Sequence, residues 1–215
     1  MGTFLRIFFL VILLGGLVVS LILVGNRQLL KQEAAELSMP VLTGPTLAPS
    51  PTPGPDAGNA TFTLRFQGIT SSRAEKSVRL TFKQGEAVIY SFPSITVSPG
   101  ATDSYSGKVS GVNPGAYDVY VRGEAHLVRK FPDIAIETGP NSLDFTEKLL
   151  LAGDFDGDNI INVNDVGLLS ARISAAPTTV DPSNRIFDVD ANGVISSSDM
   201  DLVLSNYKGL EILGE

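Results

Sequence analysis

Two stretches carry one pattern, 34 residues apart. The first is Asp154-Phe155-Asp156-Gly157-Asp158-Asn159-Ile160-Ile161-Asn162-Val163-Asn164-Asp165. The second is Asp188-Val189-Asp190-Ala191-Asn192-Gly193-Val194-Ile195-Ser196-Ser197-Ser198-Asp199. Oxygen-bearing side chains stand at positions 1, 3, 5, 9 and 12 of both: Asp154, Asp156, Asp158, Asn162 and Asp165, then Asp188, Asp190, Asn192, Ser196 and Asp199. Carboxylates at alternate residues let a tightly turning loop wrap a hard cation in oxygen alone. Position 6 requires a left-handed backbone, which glycine adopts most easily and asparagine next. Gly193 and Asn159 fill it. Ile161 and Ile195 share position 8, which predicts a short β-bridge between the two loops.

This is the ligand spacing of an EF-hand calcium loop, whose seventh position contributes a backbone carbonyl. Ile160 and Val194 complete the sets, for two Ca2+ ions. Both loops depart from the EF-hand consensus in the same way, with Asp at position 12 in place of Glu, and no amphipathic helix precedes either. Helical periodicity follows each loop, through Val166, Leu168, Leu169 and Ile173, then Met200, Leu202, Val203 and Tyr207. Asn164 and Ser198, just before the position-12 aspartates, are the predicted helix caps.

This loop-then-helix duplication resembles the type I dockerin domain over about residues 148–210. The resemblance implies a small all-α, calcium-binding domain that docks a cohesin-type protein. It also implies that recognition falls to loop positions 10 and 11, here Val163-Asn164 and Ser197-Ser198, and to a basic residue on the helix, here Arg172. Ser197-Ser198 fits the family's small-hydroxyl pattern and Val163-Asn164 departs from it. Ser205-Asn206 replaces the basic residue in the second repeat.

Charge is unevenly placed. Residues 1–59 hold three acids and three bases, residues 60–147 nine of each, and residues 148–215 eleven acids against four bases. The net charge of −7 therefore lies in the C-terminal segment. That excludes a nucleic-acid partner, whose phosphates call for clustered Lys and Arg. The absence of cysteine excludes a disulfide framework, thiolate metal sites and a thiol nucleophile.

Ile7 to Val24 is an uninterrupted apolar or small-residue run whose helical length, roughly 27 Å, matches a bilayer core. A cleavable signal peptide competes, but its apolar region is usually about 7–15 residues long and ends in a small-x-small site. The uncleaved anchor is the favoured expectation. Arg6 on one side and Arg27 and Lys31 on the other leave the positive-inside rule nearly balanced. Residues 40–58 hold six of the thirteen prolines and read as an extended, semi-rigid spacer after a short helix-prone stretch.

From residue 60 the apolar residues alternate with period two: Phe62, Leu64 and Phe66, then Val78, Leu80 and Phe82. Further runs are 87–92, 95–97, 117–121, 126–128, 134–136 and 143–151, with turn signals between them. They predict an antiparallel β-sandwich. Gly111-Val112-Asn113-Pro114-Gly115-Ala116-Tyr117-Asp118-Val119 resembles a strand of prealbumin-like and carboxypeptidase-regulatory-like sandwiches. His126 is the only histidine and reads as a packed or surface residue. No hydrolase elbow or phosphate-binding glycine loop is present.

The expected chain is thus multi-domain: a membrane anchor (1–25), a helix and Pro-rich linker (26–59), an Ig-like or prealbumin-like β-sandwich (60–147) and a dockerin-like domain (148–215). It is expected to be a non-enzymatic protein of the cell membrane, single-pass through residues 7–24. Extracellular loops of this kind work at high free calcium, which places the C-terminal domains outside. Alternatives are calcium as a purely structural staple, or an accessory role in polysaccharide degradation with carbohydrate on the sandwich's tyrosines.

Overall fold

The computed structural model describes Gly54, residues 57–69, 74–101, 103–173 and 178–207, Gly209 and residues 212–215. The apolar run 7–24 and nearly all of the Pro-rich linker lie outside these residues. Among the described residues no helix is long and apolar enough to cross a membrane.

Seven strands form the larger part: β1 (Gly58–Phe66), β2 (Lys76–Gln84), β3 (Ala87–Pro99), β4 (Ser104–Val112), β5 (Gly115–Gly123), β6 (Arg129–Ile136) and β7 (Pro140–Leu150). Their hydrogen-bonded order is β6-β5-β2-β3-β4-β1-β7. The 13-residue β3 pairs with β2 along most of its length and with β4 at Ser98 and Pro99, so it belongs to both halves of the order. Phe131 of β6 and Phe145 of β7 come from the two ends of that order, yet their rings lie 4.6 Å apart. The sheet is therefore folded over on itself as a sandwich. Period-two alternation sends Phe62, Leu64, Leu80, Phe82, Val119 and Val121 inward, where each is fully buried.

Several strand expectations need correction. The pairing is antiparallel except at one edge, where β7 runs parallel to β1. The other side of β1 is taken by antiparallel β4, and the last strand reaches the remaining edge in β1's own direction. Runs 87–92 and 95–97 are one strand. Residues 126–128 form no strand: the chain turns at Ala125 (φ +53°), and His126 makes an isolated bridge with Ala152. The unforeseen strand is β4, SYSGKVSGV. Its Gly107 marks close packing, since a Cβ there would lie 2.4 Å from the Phe62 ring.

The C-terminal part holds β8 (Ile160–Ile161), α1 (Val163–Ser170), β9 (Thr178–Thr179), a single 3-10 turn (Arg185–Phe187), β10 (Val194–Ile195), α2 (Ser197–Tyr207) and β11 (Ile212–Leu213). The expected bridge between the loops is absent: β8 pairs with β11 and β10 pairs with β9. Ile161 and Ile195 instead meet in one apolar cluster with Leu169, Val203, Phe187 and Val189. Position 8 is apolar because it fills this core, and each loop's backbone finds a partner strand elsewhere.

The sandwich and the C-terminal part belong to one compact unit, Leu47–Glu215. Leu127, from the turn after β5, is fully buried in the C-terminal cluster, and Ala191 of the second loop packs into the sandwich core.

Candidate calcium loops and docking surface

The two loops close by the same hydrogen bonds. Asp165 Oδ1 accepts the Phe155 N–H at 2.7 Å and Oδ2 accepts the Asn162 N–H at 3.0 Å. Asp199 repeats this with Val189 at 2.9 Å and Ser196 at 2.9 Å. Position 5 accepts the N–H of position 7 in both: Ile160 to Asp158 at 2.8 Å, Val194 to Asn192 at 2.9 Å. The first aspartate accepts from position 6, Asn159 to Asp154 at 3.2 Å and Gly193 to Asp188 at 3.0 Å. Position 6 is left-handed as expected, with φ +69° at Asn159 and +89° at Gly193. Asn159 does more than tolerate that backbone, because its Oδ1 accepts the Val128 N–H at 2.8 Å and so ties the loop to the sandwich.

The helix caps sit earlier than expected. Asn162, not Asn164, caps α1 in a reciprocal box with Asp165, and the Asn164 N–H donates to Asn162 Oδ1 at 2.7 Å. In the second repeat the Ser198 N–H donates to the Ser196 hydroxyl at 3.3 Å. Loop position 9 thus serves the helix, because only a side chain three residues before the aspartate reaches the free N–H groups.

Two groups of carboxylates converge, each offering oxygens within 4.8 Å of one another: Asp154, Asp156 and Asp158, and Asp188, Asp190 and Asp199. Asp165 stands outside the first group, fully buried against backbone N–H donors. Burial raises the carboxyl pKa of Asp154, Asp188 and Asp199 above the ordinary range. Neighbouring aspartates push each the same way, against the pull of the Arg122 guanidinium at Asp154 and of backbone N–H groups at all three. Crowded, half-desolvated carboxylates are a donor set that a hard divalent cation relieves, so these residues fit calcium. Asn162 and Asn192 spend side-chain oxygens on loop N–H groups. Ile160 and Val194 hold position 7 on their short strands.

The expected partner residues divide. Val163 is 64% exposed and Asn164 is exposed. Arg172 lies over the Phe187 ring at 5.2 Å. Ser197 faces solvent, but the Ser198 hydroxyl turns into the loop and donates to Asp190 at 2.9 Å.

The repeats also differ in what covers them. Leu168 of α1 is 40% exposed, whereas its counterpart Leu202 lies against Gly68 so closely that a Cβ there would come within 2.3 Å. Asn206, the counterpart of Arg172, exchanges two hydrogen bonds with Gln67 (2.9 and 2.7 Å) and donates to the Ala152 carbonyl at 2.7 Å. Arg122 of β5 pairs with Asp154, and Arg185 pairs with Glu124 at 2.7 Å. No sequence signal reveals these contacts: Gln67 and Asn206 are 139 residues apart.

With duplicated loops, convergent carboxylates and two trailing helices in place, the comparison with known families is specific. Residues 152–207 match the dockerin type I domain. Two solved structures are also similar, both described as type II cohesin–X-dockerin complexes from Acetivibrio cellulolyticus. An N-terminal interface mutant is 16% identical, covering 73% of this chain and 97% of that one, with a TM-score of 0.49. A C-terminal interface mutant is 16% identical, covering 69% and 94%, with a TM-score of 0.44. No curated protein matches the chain.

Proposed function

We propose that the dockerin region binds two calcium ions and docks a cohesin-type domain, as the binding end of a non-enzymatic surface protein. The observation that carries this is the in-register pair of carboxylate loops within the segment that matches the dockerin domain. Bound calcium supplies positive charge and fixes oxygen positions. The chain's own residues do the rest: Asp165 and Asp199 gather the loop N–H groups, and Asn162 and Ser196 start the helices. The open face of α1, with Val163 and Leu168 exposed, is the favoured docking surface. On α2 the counterpart of Leu168, Leu202, packs against Gly68, and Asn206 is bonded to Gln67. Residues 7–24 serve as a single-pass anchor, and the sandwich holds the dockerin region away from the membrane on its outer side.

Two measurements on the full-length chain test this proposal. Calorimetric calcium titration is expected to show two sites, with heat stability raised by millimolar calcium. An immobilised cohesin domain is expected to retain the chain with calcium, release it with chelator, and lose it on Val163→Asp. No calcium stabilisation refutes the metal reading, and no calcium-dependent retention by a panel of cohesins refutes docking. The contacts between loops and sandwich favour a second reading, in which calcium only staples the two together. Calcium stabilisation without retention selects it.

A further inference from the structure

The two loops match in sequence, but the sandwich treats their first aspartates differently. Arg122 Nη2, from β5, donates to Asp154 Oδ2, and the Asp154 side chain is fully buried. Asp188 accepts backbone N–H groups, from Asn192 at 3.1 Å and Gly193 at 3.0 Å, and lies beside the Asp190 carboxyl. Arg122 is itself constrained. Its neighbour across the β2–β5 pairing is Arg79, and like charges directly opposite repel, which favours turning Arg122 toward the loop. Both arginines line a cleft of about 590 Å³ that Asp154, Phe155 and Gly157 close on the dockerin side. Lys76 is the sandwich cation in the field of Asp188, but no ion pair joins them among the described residues.

We propose that Arg122 is a built-in brake on the first loop: its guanidinium on Asp154 opposes the incoming cation, so the second loop fills first and the first fills at higher calcium. This rests on the calcium reading above. A fixed positive charge beside a ligand carboxylate repels the metal, and Asp154 must divide its charge between the two. Linkage makes the effect reciprocal, so calcium in the first loop loosens the Arg122 contact by the same factor. One aspartate is then shared between a metal loop and a neighbouring sandwich. Filling of that loop reports on, and is set by, how firmly the sandwich holds the dockerin region.

The test is calorimetric Ca2+ titration of the full-length chain with Arg122→Gln and Arg122→Lys. Asp188→Asn isolates the first loop and Asp154→Asn the second. Arg122→Gln is expected to tighten the first loop about tenfold at low salt and leave the second unchanged. Arg122→Lys, which keeps the charge, is expected to stay within about threefold of the parent. The gap between parent and Arg122→Gln is expected to narrow in molar salt, because screening weakens the repulsion. Unchanged or weaker first-loop binding in Arg122→Gln would overturn the proposal. Weaker binding would make Arg122 a residue that positions Asp154. Failure of the parent chain to bind calcium at all overturns the calcium reading and this proposal together, which separates the two failures.

Discussion

The amide pair Gln67–Asn206 is where the sandwich takes hold of the second dockerin helix, and its removal has a calculable cost. Gln67 Oε1 accepts from Asn206 Nδ2 at 2.7 Å and from the Ala152 N–H at 3.2 Å, while its Nε2 donates to Asn206 Oδ1 at 2.9 Å. Gln67→Ala removes all three bonds. Each is worth about 0.5–1.5 kcal/mol net, and the N–H of fully buried Ala152 is left without its acceptor. Partial exposure lets Asn206 recover water, so the expected loss is about 2–3 kcal/mol. At about 2–4 °C per kcal/mol for a chain of this size, that is a fall of roughly 4–12 °C in Tm. Asn206→Ala is expected to cost about as much, because it loses the two shared bonds and the one to the Ala152 carbonyl. The double variant then costs less than the sum by about 1–2 kcal/mol. Urea denaturation of the four proteins in calcium measures this cycle. Single losses below about 0.5 kcal/mol, adding without coupling, would refute the view that this face is committed to the sandwich.

Three further outcomes are expected. His126 is buried against the Phe66 ring, and burial pulls its pKa down to about 3, with Lys76 and Arg122 adding to the effect. The folded state keeps it neutral while the unfolded chain takes a proton below about pH 6.5, so its contribution to stability falls as the pH drops from there toward 3. Urea titrations should show His126→Leu gaining about 2 kcal/mol on the parent between pH 7 and pH 5. Asn159→Gly eases the left-handed backbone but strips the Val128 N–H of its acceptor, for a net loss of about 1 kcal/mol by thermal denaturation. Asp199→Ala leaves the N–H groups of Val189, Asp190 and Ser196 unpaired, for a loss of about 3 kcal/mol. Calcium stoichiometry by calorimetry should fall from two toward one in that variant.

What was legible in the sequence was local. A calcium-type loop is specified by ligand types at fixed spacing and by one left-handed position, all within twelve residues, so Asp154 to Asp165 and Asp188 to Asp199 could be aligned by eye. Strands with clean alternation, such as β1 and β2, declared themselves for the same reason. Strand β4 did not, because Gly107 stands where the Phe62 ring needs room and breaks the apolar rhythm. The bridge inferred between Ile161 and Ile195 failed because an apolar position 8 states that a side chain is buried and says nothing of which backbone lies beside it.

The sequence alone determined the chemistry of the loops, the trailing helices and the sandwich character of the middle of the chain, since propensity and ligand spacing act between near neighbours. Only the tertiary structure decided that the two repeats are unequal. Gln67, Gly68 and Arg122 reach the dockerin region from strands and turns far away in sequence, holding α2 at Leu202 and Asn206 and engaging the first loop, while Val163 and Leu168 of α1 stay exposed. Such contacts depend on how a folded sandwich presents its surface, and no periodicity within either repeat encodes that.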